Sequence, residues 1–177
     1  HRIGFAFAAA GTLILTADNT YSGATTVSAG TLRLGSSNLS ATASMTVQSN
    51  AILGGSGTIA GSATIQSGGT LAPGASPGRL TFGNGLTLGS GSTLAIEIEG
   101  ATAGSGYDQV VVTAGAVEVT GATLSISVGN SYTPPVTTVF TIIDQQGAGA
   151  IAGTFSGLAE NASRTVGSNG FVASYSG

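Results

Sequence analysis

The chain has 177 residues, of which 41% are hydrophobic and only 6% charged, with a net charge of −3. Thirty glycines, four arginines as the only strong bases and no cysteine, lysine or tryptophan exclude disorder of the low-hydrophobicity, high-charge kind, a disulfide scaffold or thiolate metal site, and the basic footprint that nucleic acid or anionic lipid requires. The glycines follow no three-residue period, which removes collagen, and no apolar run approaches the roughly 20 residues of a membrane-spanning helix.

Helix signals are nearly missing, and short alternating β-branched runs recur instead. In chain order they are Thr12–Leu15, Thr31–Leu34, Met45–Val47, Thr64–Gln66 and Leu86–Leu88, then Leu94–Glu99, Val110–Val112, Val117–Val119 and Leu124–Val128. Glycine, serine or asparagine bounds each run, as expected of strands that end in tight turns.

The runs also resemble one another. Thr26-Val27-Ser28-Ala29-Gly30-Thr31-Leu32 aligns with Thr46 to Leu53, with Thr64 to Leu71 and with Leu86 to Leu94. Between the central apolar residues Val27, Val47, Ile65 and Leu88 the spacings are 20, 18 and 23 residues. A period near 20 residues built from short strands and glycine turns reads as a solenoid. Each copy is too small to bury its apolar face alone, so stacked copies must supply the core. The expectation is an all-β parallel β-helix with Ala, Val, Ile and Leu pointing inward and Gly or Asn at positive φ in the corners. A sandwich of antiparallel hairpins is the alternative; Asn84-Gly85 and Asn169-Gly170 are its only Asn-Gly turn signals.

From Gly11 to Leu32 the sequence GTLILTADNTYSGATTVSAGTL resembles the autotransporter-associated β-strand repeat of bacterial type V passenger domains. Leu53–Ile59, Leu71–Gly78, Tyr107–Val112, Phe140–Asp144 and Gly153–Leu158 are similar to later parts of such passengers. The resemblance implies a right-handed parallel β-helix (β-solenoid), threaded outward through an outer-membrane pore, with a C-terminal capping, autochaperone-like segment. It also implies an extracellular or outer-membrane-surface location in a Gram-negative bacterium. It divides the chain into an N-terminal apolar extension over 1–10, strand-exchanging or added by cloning, β-helix rungs over 11–106, and a C-terminal end over 107–177. In that end Val110, Val112, Leu124, Ile126, Phe140 and Ile142 are the expected core. No downstream barrel and no signal-peptide pattern is present, which reads as a mature or excised fragment.

Chemistry-bearing residues are few. His1 is the only histidine and stands at the terminus, which leaves no Ser-His-Asp set and no ordinary His-based metal site. By strand parity Glu97 and Glu99 face outward on the same side, and Glu118 faces outward between Val117 and Val119. Stacked in neighbouring rungs, these three could form a calcium site or the acidic part of a polysaccharide lyase; the competing reading is a set of solvated gatekeepers on strand faces. Asp18 and Asn19 are expected to satisfy corner backbone groups, and Tyr21 to pack over that turn. A regular T-x-T array for ice binding is missing.

The function expected is that of a non-enzymatic extracellular solenoid acting as stalk, scaffold or self-assembling fibre, without a cofactor. Solenoid ends normally carry polar caps, yet Ile3-Gly4-Phe5-Ala6-Phe7 is apolar, so Ile3, Phe5 and Phe7 are candidates for strand pairing with another copy, end to end. An adhesin that binds host or neighbour-cell glycans is the alternative, and a polysaccharide lyase the third.

Overall fold

The computed structural model describes residues 5–39, 43–129 and 131–175. The chain winds as successive coils. The first holds β1 (Phe5–Leu15) and the next β2 (Thr25–Leu39); β3 (Ser44–Val47) and β4 (Ala51–Ile59) share a coil, as do β5 (Ser62–Ile65), β6 (Thr70–Pro73) and β7 (Arg79–Phe82). Then come β8 (Leu86–Leu88), β9 (Thr93–Ile98) and β10 (Gln109–Val112), followed by β11 (Val117–Glu118), β12 (Thr123–Val128) and β13 (Ile143–Gln145). The hairpin of β14 (Ser163–Val166) and β15 (Asn169–Val172) ends the described chain.

Every pairing from β1 to β13 is parallel, so equivalent segments stack into three ladders. The first ladder runs through the starts of β1 and β2, then β3, β5, β8 and β11. The second passes through the ends of β1, the middle of β2 and the start of β4 to β6, β9 and β12. The third takes the ends of β2 and β4, then β7, β10 and β13. This is the expected parallel β-solenoid, and no helix occurs among the described residues. The hairpin alternative is confined to β14 and β15, which are the antiparallel exception.

The repeat deduced from spacing is the register itself. Val27 lies opposite Val47, Val47 opposite Ile65, and Ile65 opposite Leu88, and all four side chains are fully enclosed. Alternation holds along the strands: in β9 Leu94, Ile96 and Ile98 are buried while Ala95 and Glu97 are half-buried on the outer side. Corners between the first and second ladders repeat as well. Asn50, Gly68, Gly91 and Gly121 all have left-handed φ, from 61° to 79°, and the N–H of each of the first three donates to the carbonyl of the next coil's member at 2.9–3.0 Å. Glycine is needed there because a side chain in that conformation is strained, and asparagine tolerates it best.

β1 runs on through residue 10, and β10 continues the β7 ladder from Gln109. At the C-terminal end Ala152 donates to the Val117 carbonyl and accepts the Val119 N–H, continuing the first ladder beyond β11. The hairpin then covers the last coil: Arg164 Nη1 donates to the Leu124 carbonyl at 2.7 Å, and Tyr175 OH donates to the Leu158 carbonyl at 2.6 Å.

The C-terminal core differs from expectation in its last strand. Val110, Val112 and Leu124 are buried, but Phe140, Ile142 and Ile126 are only partly so, and Ile143 takes the inward place opposite Val110. The Ile142 N–H turns back to the Phe140 carbonyl, which starts the strand one residue later and flips its parity. Phe140 packs edge-on against Tyr107, with centroids 5.2 Å apart, and against Phe171 of the hairpin.

Candidate functional site

The outer surface of the second ladder carries a groove of about 300 Å³. Its floor follows from the pleat: every second residue of the stacked strands faces outward, and apart from Arg33, Ile52 and Glu97 those positions here hold small side chains. Arg33 stands opposite Gly54, Gly54 opposite Ala72, and Ala95 opposite Ser125. A threonine column borders the floor, since Thr12 pairs with Thr31 and, after Ile52, Thr70 pairs with Thr93 and Thr93 with Thr123. The turn Gly74–Ser76, Glu97 and Asp108 complete the lining.

Asp108 is the most constrained polar group of this site, at 5% exposure. Its Oδ1 accepts the Gly78 N–H at 2.8 Å and its Oδ2 the Glu97 N–H at 2.9 Å. Burial raises its pKa to about 6, with Glu97 and Glu99 adding repulsion, although both hydrogen bonds favour the charged form. The turn that receives it is closed by close approach. A Cβ on Gly74 would lie 2.4 Å from Asp108 Oδ1, and one on Gly78 would lie 2.4 Å from both Gly74 Cα and Ser56 Oγ.

The three glutamates of the sequence reading all lie at outward positions, but on different ladders. Glu97, on β9, lies opposite Ser127, and Glu99 follows β9 beside Gly129. Glu118 sits on β11 opposite Thr87, in the first ladder. Its carboxylate accepts the hydroxyl and the N–H of Thr120, which hold its pKa below the usual range. Among the described residues no three His, Cys, Asp or Glu side chains are placed to hold a metal ion.

Ile3 lies outside the described residues. Phe5 and Phe7 fall at the start of β1, opposite Thr25 and Val27, and Phe7 packs against the core. Among the described residues β1 pairs with β2. Asp18 and Asn19 serve the corner as expected: Asp18 Oδ1 accepts the Asn38 N–H and side-chain amide at 2.8 and 3.0 Å, and Asn19 Nδ2 donates to the Ala17 carbonyl at 2.7 Å. Tyr21 hydrogen-bonds Thr25 across the turn at 2.7 Å.

Sequence reasoning missed Asp108 as a site residue, along with Arg33 and the Gly74–Gly78 turn. The available signal was an acid immediately before the strand Gln109–Val112, a position from which a carboxylate often caps backbone N–H groups.

Residues 10–34 match the family described as passenger-associated-transport-repeat. The matched segment is one turn of the solenoid, since Thr12–Leu15 lie directly opposite Thr31–Leu34. No curated protein and no solved structure matches the chain. Residues 10–34 thus carry a passenger-associated transport repeat that is itself one coil of a continuous parallel β-solenoid, which matches the resemblance to autotransporter passengers.

Proposed function

We propose that the chain is a non-enzymatic structural solenoid, a stalk or scaffold displayed at the cell surface of a Gram-negative bacterium. The supporting observation is the unbroken parallel register from β1 to β13 around one aliphatic core. Such an array resists bending, because each coil is held to the next by backbone hydrogen bonds on three sides. Coils about 4.8 Å apart give a rod that lengthens linearly with their number. Solution scattering on variants with whole coils duplicated tests this: the longest dimension is expected to grow by about 4.8 Å per added coil, and growth in every direction removes the scaffold reading.

Self-association is part of the proposal, carried by Ile3, Phe5 and Phe7 as first expected. Its support is the uncharged sequence of β1, which pairs with β2 among the described residues; uncharged strand edges readily take another strand. The hairpin β14–β15 covers the opposite end, so association through β1 joins like ends unless the hairpin moves. Deleting residues 1–10 is expected to leave folded monomers, and end-to-end dimers or filaments persisting unchanged in negative stain would sink this part of the proposal.

The adhesive reading draws on the groove, with hydroxyls of Thr31, Ser125 and Ser127 around a narrow floor and Arg33 at one end. Glycan-array binding that disappears in Arg33→Ala supports it, and an unresponsive array counts against it.

A further inference from the structure

The groove on the second ladder carries charges of both signs. Arg33 of β2 and Glu97 of β9 both line it, each half-buried. β4 and β6 lie between these strands, so three coil steps of about 4.8 Å set them about 14 Å apart along the solenoid axis. That exceeds the screening length of about 8 Å at physiological ionic strength, and the two charges do not neutralise each other. Among the described residues neither the Arg33 guanidinium nor the Glu97 carboxylate has a hydrogen-bond or ion-pair partner. Asp108, the other acid of the lining, has both oxygens on backbone N–H groups. In a chain with four basic and seven acidic residues, one groove thus keeps two opposite charges available to a ligand.

The surface between these charges is narrow and fixed. Gly54 cannot carry a side chain, since a Cβ there would lie 2.7 Å from the Ala72 carbonyl oxygen. Ala72 and Ala95 continue the floor. The Gly74–Gly78 turn is tied by the Gly78 N–H on Asp108 Oδ1. It is tied again by the N–H groups of Gly55 and Gly74, each on the other's carbonyl, at 3.0 and 2.7 Å. A site built on ladder strands and a tied turn gives up little freedom on binding. Thr31, Ser125 and Ser127 add hydroxyls, which donate as well as accept. No aromatic side chain is among the described lining residues.

We propose, resting on the adhesive reading of this groove, that its occupant is an extended peptide segment of a partner protein, lying along the solenoid axis with an acidic residue at Arg33 and a basic residue four positions away at Glu97. An extended chain rises about 3.3 Å per residue, so four residues cover about 13 Å and match the charge separation. A helix covers only about 6 Å in four residues. The hydroxyls take peptide N–H and C=O groups, and side chains the size of alanine or serine fit over Gly54, Ala72 and Ala95. A neutral glycan leaves both charges unpaired, and an acidic one satisfies Arg33 but is repelled at Glu97. Sugar rings also find no aromatic face here. Each charge contact in a partly exposed groove is worth about twofold to fivefold in affinity.

Fluorescence anisotropy on the intact chain at low salt, with end-blocked peptides, tests the occupant. The probes are Asp-Ala-Ser-Ala-Lys, its like-charged relatives Asp-Ala-Ser-Ala-Asp and Lys-Ala-Ser-Ala-Lys, and the isomer Asp-Lys-Ala-Ser-Ala with adjacent charges. The first is expected to bind roughly fivefold tighter than any of the others. Arg33→Glu, at an outward position, is expected to turn the order in favour of Lys-Ala-Ser-Ala-Lys. Glu97→Gln is expected to bring Asp-Ala-Ser-Ala-Asp within about twofold of the first probe, which keeps the test open if Arg33→Glu does not fold. Equal binding of all four probes, or an order unchanged in the folded variants, overturns the peptide occupant. Failure of every peptide to bind does the same: an Arg33-dependent glycan-array signal then leaves the adhesive reading standing, and a silent array removes both.

Discussion

Asp108 and Glu97 are joined by two hydrogen bonds, Asp108 N–H to the Glu97 carbonyl and Glu97 N–H to Asp108 Oδ2, each 2.9 Å long. The pair closes the solenoid wall where the backbone ladder between β6 and β9 has ended. Asp108→Ala removes the acceptor of two N–H groups, those of Gly78 and Glu97, in a corner too tight to readmit a side chain. A loss of about 2–4 kcal/mol is expected, measured by denaturant titration at neutral pH.

The column Val27–Val47–Ile65–Leu88 predicts a position-dependent core. Ile65 has fully enclosed ladder neighbours on both sides, Val47 and Leu88. Ile65→Ala is expected to cost about 3–5 kcal/mol, because neighbours fixed by ladder hydrogen bonds collapse little into the cavity. Ile14→Ala, at a half-exposed outer position, is expected to stay within about 0.5 kcal/mol of the parent.

The stacked corners make an opposite pair of predictions. Gly91 has φ 79°, and a Cβ there would lie 2.7 Å from Ser67 Oγ. Gly91→Ala is expected to lower stability by more than about 1 kcal/mol. Asn50→Gly, at φ 61° in the same column, is expected to be close to neutral. Thermal melts of the two variants side by side test the corner reading.

Tyr175 locks the C-terminal cap, donating to the Leu158 carbonyl and accepting the Phe155 N–H at 3.0 Å. Burial, the main cause, holds its pKa above 10.0, so the phenol contributes its full stability below pH 10.0 and loses it as the pH rises through the higher folded value. Tyr175→Phe is expected to cost about 1–3 kcal/mol at neutral pH and to lack the alkaline step. Stability measured against pH for both proteins checks the sign.

Truncation after Gly106 removes β10 to β15, and with them the outer partners of β7, β8 and β9. Leu80 and Phe82, both fully buried, would then lie on an open edge. Residues 1–106 are expected to lose cooperative unfolding. If they fold as well alone, the C-terminal end does not template the rest.

The sequence by itself determined the architecture: short alternating runs at a period near 20 residues, with glycine or asparagine at the same phase, permit few structures other than stacked coils. Spacing alone placed Val27, Val47, Ile65 and Leu88 on one column, because a buried face with period 2 allows a single register. Strand parity likewise turned Glu97, Glu99 and Glu118 outward. Which outward residues meet was decided only by tertiary structure, since coils differ in length and the ladder each strand joins depends on every corner before it. Glu118 thus went to a different ladder from Glu97, while Asp108, eleven residues beyond Glu97 in the chain, returned to it through the 99–107 excursion. The scarcity of charge that first served to exclude functions shows again at that buried carboxyl, whose described partners are backbone N–H groups. Its environment, set by burial and by Glu97 and Glu99, became readable only once the coils were closed.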